Sequence, residues 1–295
     1  MKSLMVLEGG SYRGIYTAGV LDVLMGAGLY TDCTLGISAG ALNGLGYTAG
    51  QIGRCRDVVL DYGLDGRYIG TQALRAEHSL VGFDFILKDL QRILPFDDAA
   101  FRNPERKFAV VATSCETGKA VFPERDDYET TDAFLPAIAA SCSMPYICHR
   151  AKLDGGEYLD GGCAEQLGMT YVEEHTEYDR VIVVLTRRLR YRKKPLSKPM
   201  VKLAHKMYGD CPAMLDTLLH VDELYADQRQ RLEKLKNSRD LLIIEPCYEL
   251  GIGRLERSLD NLKLGYENGQ RDGENILPAA REFLKGNPDL ASGPL

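Results

Sequence analysis

Short apolar runs alternate with helix-patterned stretches along most of this chain, and that alternation limits what it can fold into. Residues 3–8 (SLMVLE) form an apolar run that ends at Gly9-Gly10 and reads as a buried strand. Residues 14–27 follow with helical periodicity, Ile15, Ala18, Leu21 or Asp22, and Met25 marking the faces. A second strand is expected at 33–37, followed by a helix-favouring stretch at 39–47. Further strands are expected at 108–113, 120–122, 181–186 and 241–245, with helical stretches near 84–93, 131–141, 211–236, 258–268 and 275–285. Strands separated by helices build βαβ units, which implies an α/β fold with a mostly parallel, helix-covered sheet. Candidate seams lie at 63–82, which is Gly-rich, and at 187–200, which is basic and carries Pro195 and Pro199. Neither is long or polar enough for a linker. The expected organisation is a core over 1–186, with a basic cap-like segment and a helical region over 187–295 packing on the same domain.

Composition narrows the class further. With 295 residues, 45% hydrophobic and 26% charged, the chain holds enough apolar material for one large domain or two modest ones and is not disordered. No apolar run approaches the roughly 18 residues needed to span a bilayer. Glu8 interrupts the first run, so it is no secretory core segment, and the expected address is cytoplasmic. A net charge of −6 speaks against a protein built to wrap nucleic acid. Eight cysteines (33, 55, 115, 142, 148, 163, 211 and 247) are scattered with no Cys-x-x-Cys pair, and five histidines are equally dispersed. No zinc spacing is visible, and the cysteines are expected to be small buried hydrophobes in a reducing compartment.

The sharpest chemical signal is Gly36-Ile37-Ser38-Ala39-Gly40, between an expected strand and an expected helix. A serine there sits on a tight turn with its hydroxyl exposed at the sheet's C-terminal edge, and the flanking Gly36 and Gly40 keep side chains out of the turning backbone. A second glycine-rich loop, Gly9-Gly10-Ser11-Tyr12-Arg13-Gly14, also joins a strand to a helix. As a dinucleotide fingerprint it fails at Ser11, and the acid that would bind ribose, Asp32, precedes the next strand instead of ending it. Such a loop can instead point N–H groups at an anion, helped by the helix N-terminus. If the first two strands are parallel neighbours, a right-handed crossover brings both loops to one edge, and the Gly10 and Ser11 amides face Ser38 as an oxyanion hole requires. Arg13 then fixes the loop or stabilises charge.

A serine nucleophile needs a base. His220 lies on an expected helix, and His175 and His205 sit in charged, solvated surroundings, so a carboxylate carries more weight. Residues 151–162 (AKLDGGEYLDGG) offer two. Asp154-Gly155-Gly156 suits a hairpin turn, and Asp160-Gly161-Gly162 ends the returning strand, where a side chain can enter a site. Asp160 is the better catalytic candidate and Asp154 the structural one.

Together these motifs resemble the patatin-like phospholipase family, close to its bacterial branch. The glycine-rich loop (9–14), the elbow (36–40) and the DGG (160–162) stand in the family's order. Ala39-Gly40-Ala41-Leu42-Asn43 and Ala140-Ser141-Cys142-Ser143-Met144-Pro145 are also similar. The resemblance spans about 3–186 and implies a three-layer α/β/α sandwich, Ser38 as nucleophile and Asp160 as general base, with no metal or organic cofactor. It implies acyl transfer through an acyl-enzyme, Asp160 sitting in a desolvated site that raises its pKa. One departure is Ser11, where the family has a third glycine; its Cβ is expected to require a negative φ. The implied substrates are phospholipids or other fatty-acyl esters. Alternatives are a soluble esterase or thioesterase, or a non-catalytic lipid- or protein-binding module on the same fold.

Residues 187–206 (RRLRYRKKPLSKPMVKLAHK) carry nine Lys/Arg and no acid, which leaves −15 for the rest of the chain. The mild acidity is therefore an average over two unlike regions. The segment reads either as a solvated loop or as a surface for anionic lipid headgroups, with Leu189, Tyr191, Leu196, Met200, Val201 and Leu203 interleaved.

Overall fold

The computed structural model describes residues 1–238 and 240–285. Its strands are β1 (Lys2–Leu7), β2 (Cys33–Ile37), β3 (Lys107–Ser114), β4 (Ala120–Val121), β5 (Ala151–Leu153), β6 (Gly156–Asp160), β7 (Tyr178–Val184) and β8 (Asp240–Ile244). They form one sheet in the order β5-β6-β3-β2-β1-β7-β8, with β4 paired to β3. β3, β2, β1, β7 and β8 run parallel, whereas β4 and β6 are antiparallel to β3, and β5 to β6.

The parallel strands are apolar on both faces because both faces are covered. Leu4, Val6, Leu35, Ile37, Val111 and Val183 meet Tyr171, Tyr225 and Leu232 on the helices Met169–Glu174 and Val221–Leu235. On the opposite face Met5, Leu7, Ile182 and Val184 pack against α1 (Gly14–Gly26) and the helix Leu259–Leu284. Phe108 and Val110, on that same side, meet α2 (Ala39–Thr48) and the helix Thr131–Cys142. The molecule is an α/β/α sandwich.

Several helices depart from the sequence expectation. The stretches 258–268 and 275–285 are one helix of 26 residues, Leu259–Leu284, with Pro278 inside it. Gly269, a poor helix former, stays helical because it packs against α1 so closely that a Cβ there would lie 2.1 Å from the Tyr16 carbonyl oxygen. The single helix expected over 211–236 breaks at His220 into Pro212–Leu219 and Val221–Leu235. The seam at 63–82 contains the helix Thr71–Glu77 and a bridge between Ile69 and Val81. Helices at Arg54–Tyr62, Met169–Glu174 and Lys198–Tyr208 have no counterpart in the sequence reading.

Five of the eight cysteines are buried and all are free, but Cys247 is exposed, against the expectation of a buried hydrophobe. Among the described residues no helix is long and apolar enough to cross a membrane.

Candidate active site

Parallel pairing of β1 with β2, Leu7 opposite Gly36, brings the loop after each strand to the same edge of the sheet. Ser38 leaves β2 with φ 55° and ψ −121°, a backbone conformation that strains a residue with a Cβ, and α2 starts at the next residue. Gly40 makes the turn possible, because a Cβ there would come within 2.1 Å of the Leu7 carbonyl oxygen. Gly9 passes just as close: its Cβ would touch both the Ile37 carbonyl oxygen and Ser38 Cβ at 2.9 Å. The glycine-rich loop therefore lies directly against the serine.

That loop is a single 3₁₀ turn, Ser11–Arg13, leading straight into α1 at Gly14. The Arg13 N–H returns to the Gly10 carbonyl at 3.2 Å. Among the described residues, the Gly10 and Ser11 N–H groups donate to no protein acceptor. Tyr12 is buried, its hydroxyl donating to the Gly63 carbonyl. Gly14 is held by Asn43, whose Nδ2 donates to its carbonyl at 2.9 Å. Ser11 contradicts the expected negative φ: it sits at φ 52°. The left-handed region is costly for a residue with a Cβ but accessible. A hydrogen bond from the Ser11 hydroxyl to the Arg254 carbonyl, 2.6 Å, holds it there.

Asp160 arrives from the other side of the sheet. Asp154 (φ 47°) and Gly155 (φ 83°) form the left-handed pair of a two-residue hairpin turn between β5 and β6. The returning strand pairs with β3, Asp160 opposite Ala112, and ends there. The Asp160 N–H donates to the Ser143 carbonyl at 2.8 Å, and the Thr113 hydroxyl donates to the Asp160 carbonyl at 2.9 Å. So fixed, Asp160 Oδ2 accepts the Ser38 hydroxyl at 2.6 Å, while Oδ1 accepts the Gly162 N–H at 2.8 Å. Gly161 begins the short turn that follows. Asp154 stays on the surface, its carboxylate accepting from the Tyr128 hydroxyl at 3.0 Å.

Ser38 and Asp160 are 7% and 6% exposed. Burial pushes the Asp160 carboxyl above its ordinary range; the hydrogen bonds from Ser38 and Gly162 and the fields of Arg254 and Lys193 oppose it. Such a carboxyl is a stronger base than a solvated one.

The helix Thr131–Cys142 supplies groups that sequence reasoning assigned no role. The Ser141 hydroxyl accepts the Ser38 N–H at 3.0 Å, and the Cys142 thiol donates to the Ser38 carbonyl at 3.1 Å. Ser141 and Cys142 both belong to the stretch singled out for its similarity.

Ser38 opens onto a cleft of about 910 Å3, continuous with solvent and lined mainly by apolar side chains, among them Tyr12, Leu42, Val58, Tyr68, Ile86 and Met144. At its polar limit Arg54 donates to Gln91 Oε1 at 2.8 Å. None of the five histidines lines this cleft. His175 is not solvated as expected but stacks on Tyr171 at 3.7 Å between ring centroids. His220 lies at the helix break with Nδ1 near Asp216, and His205 is exposed. Among the described residues no cluster of His, Cys, Asp and Glu can hold a metal ion. Residues 187–197 form neither helix nor strand, and the interleaved apolar residues of 187–206 are half-buried, Leu189 and Tyr191 packing on the core.

The family model described as patatin-like phospholipase matches residues 5–172, and a domain of unknown function, DUF6363, matches 211–285. A curated relative, the uncharacterized protein YjjU of Escherichia coli K12, is 25% identical over 291 residues, covering 95% of this chain and 78% of that protein. Among solved structures, VipD from Legionella pneumophila superimposes with a TM-score of 0.47 at 13% identity, over 95% of this chain and 67% of that one.

Proposed function

The chain belongs to the patatin-like phospholipase family, and from that membership we propose that it is a serine acyl hydrolase cleaving carboxylic esters of phospholipids or related fatty-acyl lipids. The observation that carries the reading is the 2.6 Å bond from Ser38 Oγ to Asp160 Oδ2 at the wall of an apolar cleft.

In the first step Ser38 Oγ attacks the ester carbonyl carbon while its proton passes to Asp160 Oδ2. The carbonyl oxygen becomes an oxyanion, and the free N–H groups of Gly10 and Ser11, beside the N-terminus of α1, are placed to receive it. Collapse breaks the bond to the leaving alcohol, which takes the proton back from Asp160, and the acyl group stays on Ser38. Water then attacks the acyl-enzyme, giving its proton to Asp160, and the fatty acid leaves with Ser38 restored. Arg190, Arg192, Lys194, Lys198, Lys202 and Lys206 are exposed and suit contact with an anionic lipid surface.

The test is labelling with a fluorophosphonate probe. Wild type is expected to label, Ser38→Ala to lose the label and Asp160→Asn to label far more slowly. Equal labelling of wild type and Ser38→Ala would refute the assignment.

A further inference from the structure

We propose that Arg13, Lys193 and Arg254 form a subsite for a phosphate-ester anion beside the Ser38–Asp160 pair, selecting acyl esters that carry a phosphodiester headgroup. The inference rests on the ester-hydrolase reading of that pair.

Arg13 is the anchor. It is 8% exposed, its Nε has no hydrogen-bond partner, and among the described residues its guanidinium pairs with no carboxylate. Glu8, the acid whose field reaches it, is already committed: it accepts from the Thr186 N–H at 2.6 Å and the Tyr225 hydroxyl at 2.9 Å, with Arg229 at 3.9 Å. Burial first, then Arg187 and Arg254 against the opposing pull of Glu8, pushes Arg13 down to about 10. A buried cation without a counter-charge is unfavourable unless an anion joins it.

Two further cations converge on the same place from outside the matched family region. Arg254 lies in the loop before the helix Leu259–Leu284 and is fixed to the cleft rim by the bond from the Ser11 hydroxyl to its carbonyl. Lys193 comes from the basic segment, half-buried with Nζ 5.6 Å from the Tyr225 ring centroid. Burial, and next Arg254, pushes Lys193 down to about 8. Both cations act on Asp160, so they stand within electrostatic reach of the reacting pair. Neither forms an ion pair among the described residues, whereas Arg187 already has Glu249 at 3.5 Å. Asp160 does not neutralise them, being engaged by Ser38 and Gly162.

Three unpaired cations around a cleft that ends in an apolar cavity match a lipid with a negative group a few bonds from its ester. The non-bridging oxygens of a phosphodiester accept from guanidinium and ammonium groups together, which a neutral glyceride cannot offer. The position of Ser11 gains a reason as well: its hydroxyl holds the Arg254 loop, which glycine has no side chain to do.

The experiment measures ligand binding to Ser38→Ala protein by calorimetry, so turnover plays no part. Soluble dioctanoyl phosphatidylglycerol is compared with uncharged dioctanoylglycerol and with inorganic phosphate. The phosphatidylglycerol is expected to bind, phosphate to compete with it, and the added pair K193Q/R254Q to weaken its Kd by at least about tenfold. K198Q/K202Q removes the same charge from the exposed helix of the basic segment and is expected to leave Kd unchanged. Binding of phosphate without the phosphatidylglycerol supports the anion site and assigns it to free phosphate. Equal affinity for the uncharged lipid, or no loss in K193Q/R254Q, overturns the proposal. The ester-hydrolase reading fails separately, by turnover surviving in Ser38→Ala.

Discussion

The Ser38 hydroxyl donates to Asp160 Oδ2 across 2.6 Å although 122 residues of chain separate them. The end of β2 aims the hydroxyl and the end of β6 aims the carboxylate. The C-terminus of the helix Thr131–Cys142 holds both, through Ser141 on the Ser38 N–H and the Ser143 carbonyl on the Asp160 N–H. Each of the following expectations tests a different part of that arrangement.

Only one of the two DGG aspartates reaches the serine. Asp160→Asn keeps the shape but removes the base, and its ester turnover is expected to fall by about 10²–10⁴. Asp154→Asn changes an exposed turn and is expected to leave turnover within about twofold, with stability altered by at most about 0.5 kcal/mol. The comparison is made with a soluble chromogenic ester.

The acid limb of the pH profile reports on Asp160. The carboxylate form is the active one, and burial raises its pKa, so kcat/KM for an uncharged ester is expected to fall at a pH above the ordinary aspartate value of about 3.9. Arg254 and Lys193 both lower that pKa, so K193Q/R254Q is expected to move the limb to higher pH. A limb below the ordinary value, or one shifted down in the double variant, contradicts the assignment.

Ser141 is fully buried and accepts the Ser38 N–H at 3.0 Å. Ser141→Ala leaves that N–H unpaired on a strained turn. It is expected to cost about 1–3 kcal/mol of stability and to lower kcat more than it changes KM. Thermal unfolding and steady-state kinetics read the two effects separately.

The cleft also sets a length. It follows α2 from Ser38 to Gly46, about 12 Å at 1.5 Å per residue, and meets the hydrogen-bonded Arg54 and Gln91. An extended chain advances about 1.2 Å per bond, so about ten acyl carbons fit before the polar pair. A p-nitrophenyl ester series is expected to peak near that length, and Leu42→Phe to move the peak to shorter chains. A flat profile contradicts the acyl assignment of the cleft.

What was legible in the sequence is what depends on local turn chemistry. Ser38 between Gly36 and Gly40, and Asp154-Gly155 with its left-handed pair, announce their backbone geometry within a few residues. Ser141 was visible only as part of a similar stretch, because its bond to Ser38 depends on where a helix ends in space. Lys193 and Arg254 share no spacing with the loop they surround, so only the folded chain brings them to it. The helix Arg54–Tyr62 escaped because no side chain of its own caps it; the Gly53 N–H at its start is instead held by Asp22, 31 residues away, at 2.9 Å. Ser11 was read against the left-handed conformation because its compensating bond, to Arg254, lies 243 residues away.

The central claim is that Ser38 carries the acyl group. Wild type mixed with p-nitrophenyl butyrate, quenched in acid and mapped by peptide mass spectrometry, is expected to show a butyryl adduct on the peptide containing Ser38. That adduct is expected to be absent in Ser38→Ala and greatly reduced in Asp160→Asn. Turnover of the ester with the adduct on another residue, or with the adduct retained in Ser38→Ala, would contradict the account.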